Sequence, residues 1–247
     1  DIAVLDNLTD VNARLVIKRG RVVARDGRAL FPSERFDYAA ARNSVHMKPL
    51  AADALRLPGR PGKVRVIGVV NDQITTRLLW EDAPHRDGLL VADPQRDLLK
   101  IAVVERHHAT GNVGVALIKG LGLRRGAFAS SVGHDAHNIA VVGANDDDMI
   151  CAVNHIAHMQ GGLAVALDGR VIEALPLTIA GLMSELPIAE VDRRLARLEQ
   201  AVARQGCCRP HPFMLLAFMP LSVIPELKIT DRGLVDVTAF NVVPVQD

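Results

Sequence analysis

Nearly unbroken apolar runs at 98–105, 127–131 and 139–142 limit most strongly how this chain can fold. A strand with one wet face alternates apolar and polar residues, whereas an unbroken run asks for cover on both faces. The chain must therefore lay a sheet between two covering layers, and strand-like segments at 64–70 and 74–80 extend that sheet. The cover comes from helices. Asn145 or Asp146 caps one whose first turn carries Asp147 and Asp148 and whose apolar positions Ile150, Val153 and Ala157 run on to Gly161-Gly162. Pro187 opens a second, with Val191, Leu195, Leu198 and Val202 on one stripe and Gly206 past its end. Between them, 163–167 and 170–174 form a hairpin about Asp168-Gly169. Thr110-Gly111-Asn112 reads as a turn feeding a helix over 113–119. The sum is an α+β (mixed α/β) domain over residues 63–247.

Ahead of it, residues 1–32 read as short strands with turns at Arg19-Gly20 and Asp26-Gly27, too few to bury a face by themselves. Residues 33–62 mix polar and small residues and end in Leu57-Pro58-Gly59-Arg60-Pro61-Gly62, a run of breakers expected of a linker or crossing segment, which Phe36 and Tyr38 can pin down. The strand pattern begins directly after Asp1 with no leader, so the N-terminus is expected to be a cut one.

With 247 residues, 49% of them hydrophobic, the chain can build a sizeable core in one or two soluble domains. A net charge of +1 with interspersed signs and 3% aromatic residues lacks the basic stripe and stacking platform of a nucleic-acid binder. No apolar run approaches the roughly 18 residues that span a bilayer. Cys151, Cys207 and Cys208 have neither metal-finger spacing nor an even count, which fits a reducing, cytoplasmic setting.

Chemistry concentrates in Ser130-Ser131-Val132-Gly133-His134-Asp135-Ala136-His137-Asn138. His134, Asp135 and His137 can bind a metal, orient a catalytic group or shuttle protons, because imidazole titrates near neutrality and a carboxylate fixes its tautomer; a structural polar turn uses the same residues. Such groups cost several kcal/mol each to bury without partners, so they are expected on an open surface. Asn138 is the expected supporting donor. Glu105, Arg106 and His107 close a strand-like run, where ligand contacts are common, although an Arg–Glu ion pair holding a turn is the simpler alternative. His155 and His158, three apart on a helix, lack a third ligand and read as a solvated face. The glycines from Gly111 to Gly122 are not a phosphate loop, since no Gly-Lys-Ser/Thr follows.

Taken with Glu105-Arg106-His107-His108-Ala109-Thr110-Gly111-Asn112 and Val223-Ile224-Pro225-Glu226-Leu227-Lys228, the His134 segment closely resembles the C-terminal domain of bacterial adenine deaminases of the amidohydrolase superfamily, over residues 64–237. Ala136 departs from the family pattern, in which a Ser usually stands there. The resemblance implies hydrolysis of adenine to hypoxanthine and ammonia, in purine salvage, by a divalent metal (manganese or iron) that activates water in an eight-stranded barrel. It further implies that residues 1–32 complete a composite β-domain, that the barrel is a missing partner, and that the protein is a homo-oligomer. His134, Asp135 and His137 become candidate accessory catalytic residues, and Glu105, Arg106, His107 and Asn138 candidate substrate contacts.

No metal centre of this chain's own is expected. The His-x-His strand of the barrel is absent, as is the His-x-Glu with Pro-Cys-x-x-Cys signature of the zinc nucleobase deaminases. Two alternatives stand beside this reading. One is a non-catalytic module for oligomerisation or interdomain packing; the other is a related amidohydrolase acting on another cyclic amidine or amide.

Overall fold

A computed structural model describes residues 1–32 and 36–246, which divide into two compact units, one ending at Ala40 and one beginning at Ala41. The first unit is an antiparallel meander of β1 (Ile2–Leu5), β2 (Ala13–Lys18), β3 (Arg21–Arg25) and β4 (Arg28–Ala29). Both tight turns place two successive residues at positive φ, Arg19-Gly20 and Asp26-Gly27, the geometry that matches strand twist in a two-residue hairpin. None of its described residues is buried, and Ile2, Val4, Leu8, Val11 and Phe31 are 44–87% exposed. A single four-stranded sheet cannot bury its apolar residues by itself.

The second unit supplies both covering layers. Its strands are β5 (Lys63–Val69), β6 (Thr76–Asp82), the short pair β7 (His85–Arg86) and β8 (Leu89–Leu90), β9 (Leu98–Val104), β10 (Val113–Lys119), β11 (Ala127–Ser130) and β12 (Ile139–Gly143). Then come α1 (Asp146–His158), β13 (Gly162–Leu167), β14 (Arg170–Pro176), α2 (Ile188–Arg204), α3 (Pro212–Ala217), and β15 (Leu227–Thr230), β16 (Gly233–Asp236) and β17 (Asn241–Val243). Eight strands form one sheet in the order β14-β13-β11-β12-β9-β10-β5-β6, antiparallel except at β10–β5. Among the described residues no closed barrel forms, and no helix is long and apolar enough to cross a membrane.

The apolar runs alternate between two cores. Leu99, Ile101 and Val103, with Phe128, Val142 and Val165, face α2, α3 and the three-stranded sheet β15–β17. Ala102, Ala127, Ala129, Ala164 and Ala166 face α1, which lays Met149, Ala152, Val153 and Ile156 on them together with Val45 and Leu55. Large side chains thus fill one side and alanines admit a close helix on the other. Asn145 caps α1 by accepting from the Asp148 N–H at 2.8 Å, and the buried Lys100 ammonium bonds both Asp146 oxygens and the Leu55 carbonyl. Residues from Ala41 onward therefore belong to this unit, through Val45, Leu55 and Leu57.

The helix expected over 113–119 is not formed: the segment is β10, between β9 and β5. Its Val-Gly-Val-Ala-Leu-Ile-Lys sequence combines β-branched residues with a glycine, poor helix material. Gly114 has a local reason to be there. A Cβ at that position would lie 2.0 Å from the Thr230 carbonyl oxygen, so the β15–β16 turn rests directly on the strand.

Because α1 sits on an alanine face, enlarging one of those alanines must push the helix away. Ala129→Leu, at a fully buried site, is expected to cost about 1–3 kcal/mol, read from urea denaturation. An unchanged midpoint would show that α1 is not closely packed there.

Candidate functional site

Where β9 ends, an anion and a cation are both buried, and each finds partners other than its neighbour. The Glu105 carboxylate accepts from the N–H groups of His107, His108 and Thr110 and from the Thr110 hydroxyl, at 2.5–3.0 Å. Burial pushes its pKa up, but these four hydrogen bonds more than offset that and hold it at about 2. Arg106, 1% exposed, donates from Nε to the His137 carbonyl, from Nη1 to the Ser44 carbonyl and hydroxyl, and from Nη2 to the Ala180 carbonyl. Burial lowers its pKa, and Glu105 beside it acts the other way. The Arg–Glu ion pair weighed from the sequence is thus replaced by two separate sets of backbone bonds.

Asn138, also buried, joins three segments. Its carbonyl accepts from the Arg106 N–H, and its amide donates at 3.2 Å to Asp231, whose second oxygen accepts from Asn112 at 3.2 Å. Asp231 sits in the β15–β16 turn, so the C-terminal sheet is tied to the turn after β9 and to the His134 loop.

The outer layer differs. Asp135 and Ala136 are exposed, His134 and His137 half-buried. The His134 N–H bonds the Ala217 carbonyl at 2.8 Å, and its ring lies 4.8 Å from Phe218 and 5.9 Å from His137. The Gly133 N–H donates to His137 Nδ1 at 3.3 Å, which leaves the proton of a neutral ring on Nε2. Burial lowers the His137 pKa, with His134 and Arg106 adding to the effect and Asp135 opposing it, which favours the neutral ring. His107, half-buried, donates from Nε2 to the Ala136 carbonyl at 2.7 Å and buttresses the loop tip. Beside this tip, Asp135, Asn138, Thr230 and Asp231 share a cavity of about 220 Å³ with the 220–223 segment.

His134, Asp135, His137, His107 and Asn138 are thus brought to one place, with Glu105 and Arg106 beneath them. The sequence reading missed Asp231, for which a Thr-Asp-Arg-Gly turn after Leu227-Lys228-Ile229 was the available signal, and the Ser44 and Ala180 carbonyls, which have none. Glu226 and Lys228 do not pair with each other. Glu226 accepts from the Leu78 N–H, and the buried Lys228 ammonium bonds the Ile74 and Phe218 carbonyls. Burial depresses Lys228 to about 8.

Residues 73–241 match the family model described as the adenine deaminase C-terminal domain. The chain belongs to that family. It is 45% identical over 246 residues to a protein named adenine deaminase 2 from Carboxydothermus hydrogenoformans, an alignment that takes in 99% of this chain and 43% of that protein. It is 47% identical over 247 residues to the adenine deaminase of Methanothrix thermoacetophila, again 99% and 43% of the two. With that of Oleidesulfovibrio alaskensis the identity is 49% over 207 residues, 84% of this chain and 36% of the relative. The chain therefore spans less than half the length of these relatives. Among its described residues no three His, Cys, Asp or Glu converge as a metal site, so these residues do not by themselves offer a ligand set for the divalent metal implied by the family.

Glu105 gives the site a definite acid response. Its folded pKa of about 2 lies below the ordinary 4.5, so its contribution is complete above pH 4.5 and disappears as pH falls towards 2. Glu105→Gln should therefore lower stability by about 1–3 kcal/mol at pH 7, and the gap to the parent should close between pH 4.5 and 2 in urea titrations. A gap independent of pH would remove the charge from the explanation.

Proposed function

We propose that this chain is the C-terminal portion of an adenine deaminase, and that the turn from His134 to His137 meets the purine or its attacking water in the complete enzyme. The observation that carries this is the contrast between the two layers. Glu105, Arg106 and Asn138 use their polar atoms internally, while Asp135 and His137 Nε2 have no hydrogen-bond partner among the described residues. A neutral imidazole with its proton on Nε2 can donate to a purine ring nitrogen. The Asp135 carboxylate can accept from the exocyclic amine that leaves as ammonia. His107 and Asn138 shape the turn, and Glu105 and Arg106 act as positioning residues rather than direct substrate contacts.

In this reading residues 1–32 complete a β-domain whose other strands lie outside the chain, and their exposed apolar residues supply the surface for that contact. The same exposed face favours a second reading, a purely structural module for interdomain packing, in which the His134 ring serves only to stack on Phe218.

Kinetics separate the two. In a complete adenine deaminase carrying this chain as its C-terminal portion, His134→Ala or His137→Ala should lower turnover of adenine roughly ten-fold or more with little change in Tm. A large fall in Tm with unaltered turnover in the folded fraction would establish the structural module. The chain by itself, supplied with manganese or iron, should release no ammonia from adenine; measurable release would reveal a reaction centre within it.

A further inference from the structure

On the α2–α3 side of the sheet lies a cavity of about 460 Å³, within the roughly 300–1,000 Å³ usual for small-molecule sites. Leu163, Leu177 and Leu195 line it from β13, the segment after β14 and α2; Phe213 and Met214 line it from α3. Phe213 is fixed by an edge-on contact with the core ring of Phe128 at 5.5 Å, whereas Met214 is 60% exposed at the rim. The polar atoms are few. His211 Nδ1 lies 3.1 Å from Glu199 Oε1, and neither the second Glu199 oxygen nor His211 Nε2 has a partner among the described residues. His134 lines the same cavity.

This combination narrows the ligand. A wholly apolar occupant would leave the second Glu199 oxygen without a partner against an apolar wall, which costs free energy. An anion such as a phosphate would meet Glu199 with like charge. A flat heteroaromatic ring satisfies both demands, since its faces suit Phe213 and the Met214 sulfur, and an exocyclic amino group can donate to the second Glu199 oxygen and to His211 Nε2.

We propose that this cavity is a binding site for an uncharged aminopurine, its amino group on Glu199 and His211 and its ring between α2 and α3. The choice of a purine rests on the reading of the chain as part of an adenine deaminase. The site itself is separate from the Asp135–His137 tip and shares only His134 with that turn, so its occupancy is expected to alter the environment of His134.

The probe is 2-aminopurine, whose fluorescence anisotropy is followed on adding the full chain, with adenine as competitor. A saturable rise reversed by adenine is expected. Glu199→Gln, a part-exposed change that the fold should tolerate, is expected to weaken binding by roughly ten-fold, and Leu195→Trp, which fills the space, to abolish it. No saturable rise up to about 1 mM, or binding indifferent to both substitutions, overturns the proposal, as does failure of adenine to compete. Binding without turnover in the complete enzyme would sink the deaminase reading and leave the pocket standing. Turnover without binding here would sink the pocket alone.

Discussion

A guanidinium that is 1% exposed and has no carboxylate partner among the described residues holds this end of the domain together. Arg106 cannot shed its charge, so burial obliges its donors to find acceptors. They find carbonyl oxygens of three segments distant in sequence, at Ser44, His137 and Ala180. Those segments would otherwise be independent loops. Because each loop supplies an acceptor, displacing any one leaves part of a buried charge unsatisfied, and the arrangement is cooperative. Gly181 belongs to the same constraint. A Cβ there would lie 2.7 Å from Arg106 Nη1, and its φ of +72° is one that side chains rarely adopt.

Glu105 does for the following turn what Arg106 does for the loops, by collecting N–H groups in place of carbonyls. An adjacent acid and base at a strand end look like an ion pair in the sequence, but a pair would satisfy only each other. Separated, the two charges organise the backbone on both sides of β9, and the bond from Asn138 to Asp231 extends the network to the C-terminal sheet. The exposed layer lies above them, where His137 stands in the left-handed region at φ +50°. That backbone geometry carries its ring Nδ1 to the Gly133 N–H and its carbonyl to Arg106.

The large elements were legible because their signals are local. The runs 98–105, 127–131 and 139–142 became β9, β11 and β12; Asn145 capped α1; and the stripe from Val191 to Val202 lies on α2. Residues 113–119 misled because a fully covered strand and a buried helix present the same unbroken apolar run, and only neighbours on both sides decide between them. The short α3 and the β15–β17 sheet were missed because neither has the length to show a period. Of the site, the His134–Asn138 turn was visible as a local cluster of chemistry. Its supports were not, since the bonds that hold it span 31 residues from Arg106 to His137 and 93 from Asn138 to Asp231, and several end on backbone atoms that any residue possesses.

Lys228 extends the same principle to the far side of the His134 loop. Its ammonium is fully buried against the carbonyls of Ile74 and Phe218, and the depression of its pKa from 10.5 to about 8 records the cost of keeping a charge there. The folded state prefers the neutral amine, so this group's contribution to stability rises between pH 8 and 10.5 and is least below 8. A strand position that merely needed filling would be served better by an aliphatic side chain. What the lysine adds is a bond to the carbonyl at the end of α3, where Ala217 accepts the His134 N–H and Phe218 carries the ring against the imidazole. Two buried cations, Arg106 and Lys228, therefore grip the His134–His137 turn from opposite ends. The loop can hold a polar, exposed tip because the charges beneath it are committed to backbone rather than to each other.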